Sequence, residues 1–144
     1  MSRSGALDRI DALLGTVSDP TFTAILRGEP LSIPGTPLCA FWIVSRSTMF
    51  ETFTDVSTMT TFTIRAYFRM QASQDVRESL ELDLWDAAVN IDTALRSDAD
   101  LAGNCTDSNV GSMATGYTDI GGVAYRTMDI PFEVENLGEV TITP

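Results

Sequence analysis

The pattern of apolar residues along this chain predicts an α+β domain, a mixed or antiparallel sheet packed by one long helix and a short N-terminal helix. Three observations carry that expectation. Residues 58–70 alternate apolar and polar groups at the period of a strand, residues 74–96 repeat apolar groups at spacings of three and four, and residues 123–135 are rich in strand-forming apolar residues. At 144 residues, with 44% hydrophobic and 20% charged side chains, the composition is that of a globular domain. No repeat, low-complexity tract or linker divides the chain, so residues 1–144 are read as one domain.

The first element is a short helix with Ser4 as N-cap, ending near Gly15 and placing Leu7, Ile10, Leu13, Leu14 and Val17 on one face. Thr21 to Arg27 is strand-like, and Gly28-Glu29-Pro30 turns the chain. Three prolines and a glycine between Pro30 and Pro37 forbid a helix or a central strand, leaving an extended connector. Leu38 to Ser45 reads as a buried strand, with Cys39 inside its apolar run as a buried free thiol. The segment Arg46 to Ser57 reads as a loop. Its Met49, Phe50, Phe53 and Val56 carry more apolar bulk than a solvated loop needs, so it either folds back on its own core or packs on a neighbour.

In the alternating strand Thr58 to Met70, the series Phe62, Ile64, Ala66, Phe68 faces the core and the series containing Arg65, Tyr67 and Arg69 faces away. The long helix runs from Gln74 to Arg96 behind Ser73 as N-cap. Its stripe of Val76, Leu80, Leu84, Ala87, Ile91, Ala94 and Leu95 faces the sheet. Leu82, Trp85 and Val89 form a second stripe roughly 160° away, at about 100° per residue. A helix apolar on two faces is covered twice, by the N-terminal helix of the same chain, the preferred reading, or by another subunit. Beyond a polar exit, Ser97 to Gly103, two strands remain. Cys105 to Thr118 offers Val110, Met113 and Tyr117 as packed residues, and Val123 to Glu135 offers Tyr125, Met128, Ile130, Phe132 and Val134. Asp119 to Gly122 is their hairpin turn, and Gly138 to Pro144 is a strand-capable tail.

Nine basic residues, all arginine, against twenty acidic ones give a net charge of -11. A chain so negative, with no arginine cluster, is not expected to bind nucleic acid tightly, although an acidic pore wall would let a duplex pass without sticking. No segment has the length of apolar sequence that a membrane span needs, and Met1 to Gly15 lacks a signal-peptide core, so a soluble, unsecreted protein is expected.

The residue inventory argues against catalysis. Without histidine there is no Ser-His or Cys-His nucleophile, and without lysine neither Schiff-base chemistry nor a phosphate-binding P-loop. Asp98-Ala99-Asp100 with Gly103 starts like a calcium loop but has Ala102 at the fifth position and Asn109 at the twelfth. Asp83, Asp86 and Asp92 read as a solvated helix face without a cation partner. No enzyme activity, catalytic residue, cofactor or metal site is expected.

The succession of short helix, proline-rich connector, core strand, alternating strand and long helix leads to the helix exit Leu95-Arg96-Ser97-Asp98-Ala99-Asp100-Leu101-Ala102-Gly103-Asn104-Cys105. A Gly121-Gly122-Val123-Ala124-Tyr125-Arg126 hairpin and a final strand complete the layout. It resembles the tail-terminator and neck (head-tail joining) proteins of long-tailed, non-contractile phages over nearly the whole chain. The resemblance implies a virion protein, assembled in the host cytoplasm, that forms a hexameric ring. Such a ring caps the tail-tube protein, ends tube polymerisation and joins the tail to the head-side connector or head-completion protein, with DNA passing through the lumen and no membrane involved. It carries over no catalytic residues. From the residues themselves, the interface falls on Met49, Phe50 and Phe53 in the aromatic loop and on Leu82, Trp85 and Val89 in the second helical stripe. Two alternatives remain: another head-completion or tail-tube protein, and a small-molecule binding domain with a pocket between helix and sheet.

Overall fold

A computed structural model describes residues 3–50, 56–70 and 74–137. In chain order these form α1 (Arg3–Gly15), β1 (Ile25–Arg27), β2 (Leu38–Phe50), β3 (Val56–Arg69), α2 (Gln74–Arg96), β4 (Asp107–Val110), β5 (Ala114–Ile120) and β6 (Val123–Glu135). Among the described residues the strands make one mixed sheet in the order β1-β2-β3-β6-β4, with β5 also on β6. Only β1 and β2 run parallel; the other pairs are antiparallel. The fold is therefore α+β, with the long helix and the short one that the periodicities predict.

Both helices lie on one face of the sheet. Ile10, Leu13 and Leu14 of α1 and Leu84, Ala87, Ile91 and Leu95 of α2 meet Phe62, Ile64, Met128, Ile130 and Phe132 in one buried cluster. The rings of Phe41, Phe62 and Phe132 follow one another across three strands at 6.3 and 6.4 Å. Each such side chain contributes about 1.5–3 kcal/mol by leaving water. α1 begins at Arg3, so Ser4 lies in its first turn and is not its cap, a one-residue offset common at helix ends. Ser73, the expected cap of α2, and the tail Gly138 to Pro144 lie outside the described residues.

One end of the opposite face is also buried, which the alternation alone does not predict. Leu38, Ala40, Tyr67 and Tyr125 form a second cluster, over which Ile33 of the proline-rich connector packs. Tyr67, expected on the outward series, is buried in this cluster, edge-on to Tyr125 with ring centroids 6.4 Å apart. Beside it the Arg65 guanidinium lies 5.3 Å from the Trp42 ring and donates to both oxygens of Asp129, at 2.6 and 2.9 Å. Asp129 stabilises that cation, raising the Arg65 pKa further above its ordinary value.

Several expected boundaries are corrected. β1 is three residues long, not seven: Thr21 bridges Ser18, Thr23 donates to the Pro37 carbonyl, and Gly28, at φ +121°, turns the chain away. β2 does not end at Ser45. It continues to Phe50 and pairs with β3 from Ser45↔Thr61 to Phe50↔Val56, across a bulge at Val44. Most of the expected loop Arg46 to Ser57 is thus a hairpin arm. Ladder hydrogen bonds hold its β2 side, where residues 43–48 are exposed and carry no apolar alternation.

The expected strand Cys105 to Thr118 is two strands interrupted at residues 111–113. Pro131 of β6 has no N–H to offer this edge, and a Cβ on Gly111 would stand 2.7 Å from the Pro131 ring. The interruption leaves Met113 partly exposed and Tyr117 exposed, so of the three expected packed residues only Val110 is buried. The turn between β5 and β6 uses Gly121 and Gly122 at φ +62° and +80°, as a two-residue hairpin requires. At the exit of α2, Leu101 is fully buried, so that segment is not wholly polar.

Candidate functional site: an uncovered apolar surface on α2

α2 packs over β6 on the face of the sheet, held by an arginine at each end of the contact. Arg126 donates to both Glu81 carboxylate oxygens (3.0 and 3.3 Å), to the Gly116 carbonyl (3.1 Å) and to Thr115 Oγ1 (3.3 Å). So fixed, its guanidinium stacks 4.5 Å from the centre of the Tyr117 ring. Near the other end Arg96 donates to the Val110 carbonyl and pairs with Asp92 at 2.6 Å. Asp92 thus has the cation partner that the sequence reading denied it, one helical turn away.

Between these two arginines the helix and sheet do not close. The interruption at residues 111–113 opens a groove of about 240 Å³ lined by Trp85, Val89, Val110, Met113 and Ile130 among others. Of its lining, Trp85 is 64% and Val89 48% exposed, and Leu82, three residues before Trp85 on the helix, is 66% exposed. Tyr117, 68% exposed, stands on the same helix-bearing side, because it pairs with Arg126 across the ladder. Rigid aromatic groups, an anchored arginine and aliphatic side chains around a shallow groove have the composition of a protein interface core.

α1 does not cover this stripe, contrary to the preferred sequence reading. Arg27 of β1 holds α1 through Asp8 (2.7 Å) and Asp11 (3.0 Å), and Arg9 ties it to Asp98 at 2.6 Å. The short helix is thereby fixed toward the β1 side and the exit of α2, where it completes the first cluster and leaves the outer stripe bare. Arg9 also holds the Asp98 carboxyl below its usual range. Asp83 moves the other way: partial burial first, then the neighbouring Asp86 and Asp19, raise its pKa.

Of the six residues named from the sequence, the structure brings together Leu82, Trp85 and Val89. Met49 and Phe50 end β2, two strands away from β6, with side chains outside the described residues, and Phe53 lies outside them entirely. Sequence reasoning missed Arg126 and misassigned Tyr117 and Met113. The available signal was Pro131, which marks where the neighbouring edge strand must break. Among the described residues no group of histidine, cysteine and carboxylate side chains forms a metal site, and no helix is long and apolar enough to cross a membrane. Cys39 and Cys105 are buried free thiols, each pushed up to about 12, chiefly by burial.

Set beside protein-family models and curated proteins, the chain matches neither a family nor a curated protein.

Proposed function

We propose that this protein is a structural subunit that closes into a ring with copies of itself, acting as a tail terminator or neck component of a long-tailed, non-contractile phage. The observation that carries the self-association is the bare stripe of Leu82, Trp85 and Val89, continuous with Met113 and the groove beneath it. A monomer gains nothing in stability from holding a tryptophan in water beside an apolar groove, whereas an assembled subunit buries both. The phage assignment rests on the order of elements, which resembles that family, and on an acidic balance suited to a lumen through which DNA passes without adhering.

The groove favours this reading over a small-molecule site. Its volume of about 240 Å³ is below the usual range for ligand pockets, and it is open along its length, so it fits a neighbour's side chains better than an enclosed ligand. The test adds the purified protein to tail tubes and images the mixture by negative stain. Rings of about six subunits seated at one end of each tube are the expected result. Long tubes built from this protein alone would reassign it as a tube subunit, and the absence of any binding to tubes would remove the tail assignment.

A further inference from the structure

Among the described residues the sheet has two unpaired edges, and their directions match. On one side β1 covers β2 only at Cys39–Phe41, so no described strand pairs with the outer edge from Trp42 to Phe50. On the other side β5 pairs only with β6. Edges this long are templates for strand addition unless proline, lysine, a bulge or a covering segment blunts them, and of these the β2 edge carries the bulge at Val44. Neither Trp42–Phe50 nor Ala114–Ile120 contains proline or lysine.

Along the path β2-β3-β6-β5 every pair is antiparallel, so β2 and β5 point in opposite directions. A second copy placed alongside in the same orientation therefore sets its β2 antiparallel to the first copy's β5, with helices on the same side of both sheets. The side chains match as well. Ile43 pairs with Phe62 and thus lies on the helix-bearing face, where it is more than half exposed, with Val44 bulging beside it. A β2 seated against β5 brings these groups beneath the outer stripe of α2.

Resting on the ring reading above, we infer that neighbouring copies join head to tail, β2 of one extending the sheet at β5 of the next, with Leu82, Trp85 and Val89 closing over the arriving Ile43 and Val44. The two stretches stand at different heights. Trp42 to Ser47 is level with Pro131 to Glu135, and β5 with Val123 to Asp129, so the join is staggered along the strands, as a closed, tilted sheet requires. Two different surfaces meeting head to tail produce a ring where the rotation between copies closes, and a filament where it does not, whereas a self-matching surface would stop at a dimer.

Charge tests each side of the join without touching the internal ladder, since Val44 lies in the bulge and Trp85 is mostly exposed. Val44→Asp and Trp85→Asp are each expected to be monomeric with wild-type circular dichroism, and mixed in equal amounts to form a dimer and nothing larger, since one side of each remains intact. If either variant loses its fold, Val44→Ser and Trp85→Ser replace it in the same mixing experiment. Rings from either variant alone, or a mixture that stays monomeric, overturn the contact while leaving the ring reading standing. A wild type that stays monomeric overturns both. Loss of assembly on deleting residues 138–144, with both edges intact, assigns an edge to that tail and overturns the contact.

Discussion

The two stripes of α2 are made of similar residues and meet opposite environments. Leu80, Leu84, Ala87, Ile91 and Leu95 are buried against the sheet, whereas Leu82, Trp85 and Val89 face water on the same helix. Helical periodicity cannot tell them apart, because each satisfies the three-and-four spacing. The partition comes from the rest of the chain: Arg27 and Arg9 fix α1 toward one flank, and Pro131 prevents the sheet edge from rising to meet the other. The inner stripe therefore serves folding while the outer one is left to the proposed assembly, and substitutions should separate the two.

The largest effect is expected inside. Leu84→Ala or Ile91→Ala leaves a cavity in the first cluster and should cost about 2–5 kcal/mol, lowering the melting temperature by at least about 5 °C. Trp85→Ala, on the outer face, should change monomer stability by less than about 0.5 kcal/mol, since it removes no buried contact of comparable size. A comparable thermal loss at both positions would erase the distinction between the stripes. On the other face of the sheet, Asp129→Ala removes both acceptors of the Arg65 pair and should cost about 1 kcal/mol by denaturant titration, discounted for its partial exposure.

Acid should weaken the anchor of α1 in a defined direction. Because Arg9 lowers the folded-state pKa of Asp98, the pair stabilises the protein at neutral pH, and this contribution fades as pH falls through the ordinary aspartate range toward the folded value. Asp98→Asn should lower stability at neutral pH and make the acid limb of the stability profile shallower. Asp83 carries the opposite sign: its raised pKa means its charge opposes folding at neutral pH, so Asp83→Asn should be neutral or slightly stabilising by thermal melt. The smallest signal is chemical. Cys39 is fully buried and its thiol stays protonated at neutral pH, so alkylation should proceed only as fast as the protein unfolds.

Much of the fold is legible in the sequence wherever burial on one face imposes a period. The bounds of α2 and β6 are those the pattern predicts, and Phe62, Ile64, Met128, Ile130 and Phe132 all reach the core. The pattern fails where backbone pairing acts without burial, as in the β2 side of the hairpin arm, whose Ser45, Ser47 and Thr48 read as loop. It fails again where non-local residues supply the cover, as Ile33 and Leu26 do for the cluster that holds Tyr67. The candidate surface is half legible for the same reason. The outer stripe can be read from α2 alone, but Tyr117 and Arg126 join it through a cross-strand pairing that no local window contains.

The most direct test measures the mass of wild type and Trp85→Asp side by side, by light scattering after size exclusion across a range of concentrations, with the melting temperature of each. A discrete ring of about six subunits is expected for the wild type and a monomer with an unchanged fold for the variant. A wild type that remains monomeric at every concentration, or a variant that assembles as the wild type does, would contradict the claim that the outer stripe of α2 is where copies of this protein meet.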